Sequence, residues 1–178
     1  MALALCLVSA GCVFAQITET KTLTYSIIDG DPILESSENN LTLTIVPQTV
    51  TTYNCSGQEE EKFIQYQILI YTKFLGMVAP LCDHTISGET LCHLKVLAAK
   101  TKESMNSNGK EGLVIDNGEL GAGAFRISVS EMKPIMMKRG WYMTLYTGHV
   151  NASSTGYYTF NRKVTAEFVD ALANIAIK

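Results

Sequence analysis

The stretch 63–75 constrains this chain more than any other: Ile64, Tyr66, Ile68 and Ile70 fall on one face of an extended segment, with Gln65, Gln67, Leu69 and Tyr71 on the other. Alternation sustained over that length predicts a strand that crosses a core. Shorter runs of the same kind surround it. Residues 22–28 alternate and stop at Asp29-Gly30-Asp31-Pro32, a turn sequence. Residues 41–46 alternate Leu and Thr until Pro47, and 49–53 reads as another short strand. In 90–98, Leu91, His93, Lys95 and Leu97 oppose Cys92, Leu94, Val96 and Ala98, which fits a half-buried strand. Further strands are expected over 124–130, 141–147 and 155–160, with a brief apolar run at 113–116.

Helix signals are few. Ser130 offers an N-cap oxygen to a short helical turn over 131–139, where Pro134 is tolerated in the first turns. In 164–178 the stripe Phe168, Leu172, Ile175 and Ala176 favours a C-terminal helix. The polar, glycine-bearing stretch 100–112 and the glycines at 118–123 read as loops. Many short strands separated by turns predict an all-β fold, an antiparallel β-sandwich or barrel with a short helical turn near 131–139 and a C-terminal helix.

Residues 1–15 form an uncharged apolar run ending Val13-Phe14-Ala15, with the small residue that a signal peptidase requires before its cut. They read as a secretory signal peptide, leaving 16–178 as a single β-rich secreted domain. The run is shorter than the ~20 residues that span a bilayer, so no transmembrane segment is expected. Three N-glycosylation sequons begin at Asn40, Asn54 and Asn151, sites at which a secreted glycoprotein would carry glycan. A net charge of -3 with scattered Lys and Arg argues against a nucleic-acid partner, which demands a basic stripe.

Two of the 5 cysteines, Cys6 and Cys12, would leave with the signal. Of the remaining three, Cys82 and Cys92 flank a turn-like stretch and are expected to form a disulfide bond, leaving Cys55 as a free or intermolecular thiol. Pairing of Cys55 with either remains open on spacing alone, and an intermolecular bridge would give a homodimer.

Cys82-Asp83-His84 and Cys92-His93 bring potential zinc ligands close in sequence. In an oxidising compartment the disulfide is the better use of those cysteines, so no metal or other cofactor is expected. Asp29, Asp31, Asp116 and Glu119 lie in acidic turns but lack the continuation of a calcium loop. The histidines are His84, His93 and His149, and no nucleophile elbow accompanies them, so catalysis is not expected. Aromatic residues are the more promising feature. Trp141, Tyr142, Tyr146, Tyr157 and Tyr158 could present rings for protein or glycan contact, although cross-strand aromatic pairs also serve merely to stabilise a sheet. Met132, Met136 and Met137 could likewise pad an adaptable surface or fill a core.

The run Ile127-Ser128-Val129-Ser130-Glu131-Met132, then Gly140-Trp141-Tyr142-Met143-Thr144-Leu145-Tyr146-Thr147, then Gly156, resembles the C-terminal part of CHRD domains, the modules named from chordin. Tyr146 stands where that motif has His, Thr144 where it has Asn, and Tyr157-Tyr158-Thr159-Phe160 replaces its Glu-Ile-Arg-Gly hairpin. The resemblance over 127–156 implies an all-β extracellular module with a binding or structural role. These readings together lead to the expectation of a secreted, N-glycosylated, non-enzymatic domain that recognises an extracellular protein or cell-surface component. The alternatives are a carrier of an apolar small molecule inside a β-barrel and a disulfide-linked extracellular structural component.

Overall fold

A computed structural model describes residues 24–117, 124–148 and 156–177. Residues 1–15, expected to be a signal peptide, and the Asn151 sequon lie outside the described residues. Strands make up 53% of them, all in antiparallel sheets, with two helices, the second near the C-terminus. The order is β1 (Thr24–Asp29), β2 (Leu34–Glu38), β3 (Leu41–Tyr53), β4 (Glu59–Phe74), β5 (Met77–Ile86), α1 (Gly88–Ser107), β6 (Leu113–Asp116), β7 (Phe125–Met132), β8 (Gly140–Thr147), β9 (Gly156–Phe160) and α2 (Arg162–Ala173). One sheet runs β1-β3-β4-β5 with β2 also on β3, and the other runs β6-β7-β8-β9.

The described residues divide into two compact units. The first comprises 24–27 with Val50–Phe63. There the β3–β4 turn is organised by Asn54, whose Oδ1 accepts from the backbone N–H of Ser56 and of Gln58, both at 2.9 Å. This is the local side-chain turn that asparagine favours. Ser26 and Tyr53 also share a hydroxyl contact of 3.3 Å in this unit.

The second unit comprises Ile28–Thr49 and Ile64 onward, and it holds one continuous apolar core. Tyr66, Ile68 and Ile70 of β4 are buried in that core, on the face the alternation assigns them. From β3 come Leu43 and Ile45, and from β6 to β9 come Leu113, Ile127, Val129, Met143, Leu145 and Phe160. Helix α2 adds Val164, Phe168, Val169 and Leu172. It starts where Asn161 Oδ1 accepts from the Val164 N–H at 2.9 Å, an N-cap bond. Thr165 then docks the helix: its hydroxyl donates to the Asn161 carbonyl and accepts from the buried Met143 N–H of β8, both at 2.8 Å. That arrangement satisfies a backbone donor that no water reaches.

Several sequence expectations are corrected here. The runs 41–46 and 49–53 are one strand, β3. Pro47 sits just beyond the residues that pair with β2, and its carbonyl accepts from the Gly30 N–H at 2.7 Å. Residues 90–98 are helix rather than strand, and the supposed loop from Lys100 continues it to Ser107. Leu91, Leu94, Ala98, Thr101 and Ser104 form the buried stripe of α1, whereas a strand would bury Cys92, Leu94, Val96 and Ala98 together; in the helix Cys92 and Val96 are exposed. Residues 133–139 form a turn rather than a helical segment, because Ser130 to Met132 stay paired with β8, and Met137 N–H bonds the Pro134 carbonyl at 3.1 Å. Strand β5 has no alternation to announce it. A register shift leaves Leu81 unmatched beside Pro80, a bulge at the edge of the sheet, where proline is tolerated.

Candidate functional site: the outward row of the four-stranded sheet

The alternation along β6–β9 sends Leu113, Ile115, Phe125, Ile127, Val129, Trp141, Met143, Leu145 and Phe160 inward. Their neighbours point outward, and the register aligns one residue from each strand. Asp116 pairs with Arg126, Arg126 with Tyr146, and Tyr146 with Tyr157. This row crosses all four strands, about 14 Å at the usual strand spacing. Tyr146 is 44% exposed and Tyr157 64% exposed, whereas in the next row the exposed apolar Val114 of β6 is followed by the small polar Ser128, Thr144 and Thr159. An acid, a guanidinium and two phenol rings therefore stand in line across the sheet, beside a row of smaller side chains. Adjacent cross-strand side chains lie close enough to act together on one ligand. The chemistry offered is recognition: ring faces for sugars or apolar side chains, and charges of both signs for register.

The aromatic residues singled out in the sequence divide between core and surface. Tyr146 and Tyr157 are brought together as a cross-strand pair. Trp141 is buried in the core, and Tyr158 packs half-buried against it. Tyr142 shares the outward face of β8 but is buried, its hydroxyl donating to the Lys138 carbonyl at 2.6 Å. Arg126 and Asp116 were not singled out as partners of the rings. Their alternation with Phe125, Ile127 and Ile115 was visible, but alignment with the tyrosines is a property of register.

The row begins beside a cleft of about 440 Å³ lined by His84, Glu89, His93 and Asp116, with Ile86, Leu94 and Leu97 as its apolar wall. His84 lies with its ring 4.9 Å from that of Phe125, and burial holds its imidazole below the usual value, opposed by the nearby Asp83 carboxylate. Of the Cys-Asp-His and Cys-His clusters the fold keeps His84 and His93 on this one cleft and turns Cys82, Asp83 and Cys92 away from it. Cys82 is buried in β5, Asp83 Oδ1 accepts from Gln67 Nε2 at 2.7 Å, and Cys92 is on the exposed side of α1. Among the described residues no group of three or more His, Cys, Asp or Glu side chains could hold a metal ion.

The expected Cys82–Cys92 disulfide is absent, and Cys55, Cys82 and Cys92 are free thiols. The helix explains this: the supposed turn between the two cysteines contains the start of α1, which turns Cys92 outward while Cys82 faces the core. Burial, with Asp83 adding to it, pushes the Cys82 thiol up to about 12, so it stays protonated and unreactive. Cys55 is exposed. Of the sequon residues, Asn40 is exposed in the β2–β3 turn and Asn54 is half-buried in its own turn. No described helix is long and apolar enough to cross a membrane. Comparison with protein families, with curated proteins and with solved structures yields no match to this chain.

Proposed function

We propose that this chain is a secreted, N-glycosylated, non-enzymatic binding domain that recognises an extracellular protein or cell-surface component through the row Arg126, Tyr146 and Tyr157. The observation that carries the reading is the aligned, exposed tyrosine pair beside an arginine, on a sheet whose other face supplies the core. Tyr and Arg are the residue types that dominate binding energy at protein interfaces, and rings left out of a core are free to serve there. The apolar run at 1–15 and the sequons supply the secretory half of the proposal, and the resemblance to chordin-type modules implies the same class of role. The carrier alternative draws less support, because the inward strand faces are packed against one another and against α2.

The test uses labelled protein recovered from the medium of eukaryotic cells and applied to cells of the organism that makes it. Saturable binding is expected, with a loss of about tenfold or more on the double substitution Tyr146→Ala with Tyr157→Ala. Equal binding by that variant would reject the tyrosine row as the recognition surface. Turnover of a substrate that disappears on substituting His84 or His93 would reject the non-enzymatic assignment.

A further inference from the structure

Two hairpin turns of the second unit display large apolar side chains in solvent. In the β4–β5 turn Leu75 is 84% exposed, with Met77 and Val78 beside it; in the β7–β8 turn Ile135 is 92% exposed and Met136 fully so. Both turns also hold a bulky apolar residue in left-handed backbone conformation, Leu75 at φ 48° and Met136 at φ 64°. Such positions favour Gly or Asn, so neither side chain is there for the benefit of the turn. Strain of this kind, kept at an exposed site, points toward use by something outside the chain.

A series of contacts ties the two turns to one end of the unit. Arg162 lies across Gly140, the residue that leads out of the β7–β8 turn, so closely that a Cβ on Gly140 would come within 2.9 Å of its Nε. The neighbouring Asn161 N–H donates to Glu38 at the end of β2. Two residues further on, the Asn40 carbonyl accepts from the Lys73 N–H at 2.9 Å, and Lys73 enters the β4–β5 turn. Basic residues cluster around this junction. Lys73, Lys133, Lys138, Arg139, Arg162 and Lys163 make six of the chain's 14 Lys and Arg, in a protein whose net charge is -3. Glu131 answers Arg139 through two bonds of 3.0 Å, Glu167 lies 3.8 Å from Lys163, and Glu38 stands at the junction itself, so three acids face six bases. Met137, Lys138, Tyr142, Arg162 and Lys163 line a cleft of about 440 Å³ at the base of the β7–β8 turn.

Apolar tips with a basic collar match one kind of partner surface: hydrocarbon just beneath a layer of negative headgroups. We propose that this end of the molecule docks on an anionic phospholipid bilayer, with Leu75, Ile135 and Met136 entering the acyl boundary and the lysines and arginines holding headgroup phosphates. The proposal is independent of the tyrosine row, which lies at the opposite end of the β7–β8 hairpin.

The test measures co-sedimentation of the full chain with phosphatidylcholine–phosphatidylserine vesicles and with pure phosphatidylcholine vesicles. The protein is used as secreted, with any glycan in place, because Asn40 lies in this junction and docking must tolerate it. Binding to the mixed vesicles that weakens with added salt is expected. The double substitution Leu75→Asn with Met136→Gly should lower it about tenfold or more, while the melting temperature holds or rises as the left-handed positions gain residues suited to them. Lys133→Gln and Lys138→Gln should each cost about fivefold. Wild type and variants are recovered from the medium of the same cells, so binding unchanged by the tip substitutions would overturn the proposal. So would a wild-type protein that ignores the mixed vesicles or binds pure phosphatidylcholine equally well. Self-association lost in the same double variant, with no vesicle binding, would overturn it in favour of a second copy of the chain.

Discussion

The two faces of the β6–β9 sheet are made by alternate residues of the same strands, yet they follow different rules. Inward, Ile127, Met143 and Leu145 are completely buried, and the side chains are those that fill volume without polar atoms. Outward, one position from each strand carries Asp116, Arg126, Tyr146 and Tyr157, and nothing in the packing of the core requires them. The contrast separates what the sheet needs in order to exist from what it displays. Stability should therefore respond to the inward face and recognition to the outward one.

The largest expected effect is on the inward side. Phe168, wholly buried where α2 covers the sheet, should cost about 3–5 kcal/mol on truncation in Phe168→Ala, read as a lower denaturation midpoint with little change in slope. A loss below 1 kcal/mol would break the comparison, because the inward face would then not depend on its helix.

A smaller effect comes from His84, at the rim of the same core against Phe125. Its folded-state value is depressed, so the unfolded chain binds the proton more readily. Its contribution is fully present above the ordinary histidine value near ~6.5 and is lost as pH falls through that value toward the lower folded one. Chemical denaturation at a series of pH values should show this loss, and His84→Gln should flatten it. An unchanged profile in the variant would assign the pH dependence to other groups.

The smallest effect belongs to the outward face. Tyr146→Ala and Tyr157→Ala should each change stability by no more than about 1 kcal/mol, the usual value of an exposed cross-strand pair. A larger cost would mean that the tyrosine row serves the fold, and it would blunt the separation between the two faces.

Particular residues show why part of this fold was legible in the sequence and part was not. The alternation in β4 named Tyr66, Ile68 and Ile70 as core, and all three are buried there. The stripe running through Phe168 and Leu172 named α2, whose apolar residues share one buried side. In α1 the signal was weaker: Val96 and Cys92 are exposed apolar residues, and the buried side includes Thr101 and Ser104. A two-residue period matched that stretch as well as a helical one. For the candidate site, two of the five aromatic positions, Tyr146 and Tyr157, are surface rings; Trp141 and Tyr158 serve the core, and Tyr142 is buried on the outward face beneath the β7–β8 turn. Tyr142 and Tyr146 share one face of one strand, and only the tertiary course of the β7–β8 turn distinguishes them, since the Lys138 carbonyl accepts from the Tyr142 hydroxyl.

By itself the sequence determined the antiparallel β character, the inward faces of the long strands and the C-terminal helix, because each depends on a period repeated among near neighbours. Tertiary structure decided the rest. It aligned Asp116, Arg126, Tyr146 and Tyr157, turned residues 88–107 into a helix that leaves Cys82 and Cys92 unbridged, and brought the turns after Lys73 and Lys133 to one end of the unit. Those outcomes depend on contacts between residues far apart in the chain. Local patterning limits which of them can form, and the shared burial of the core selects one.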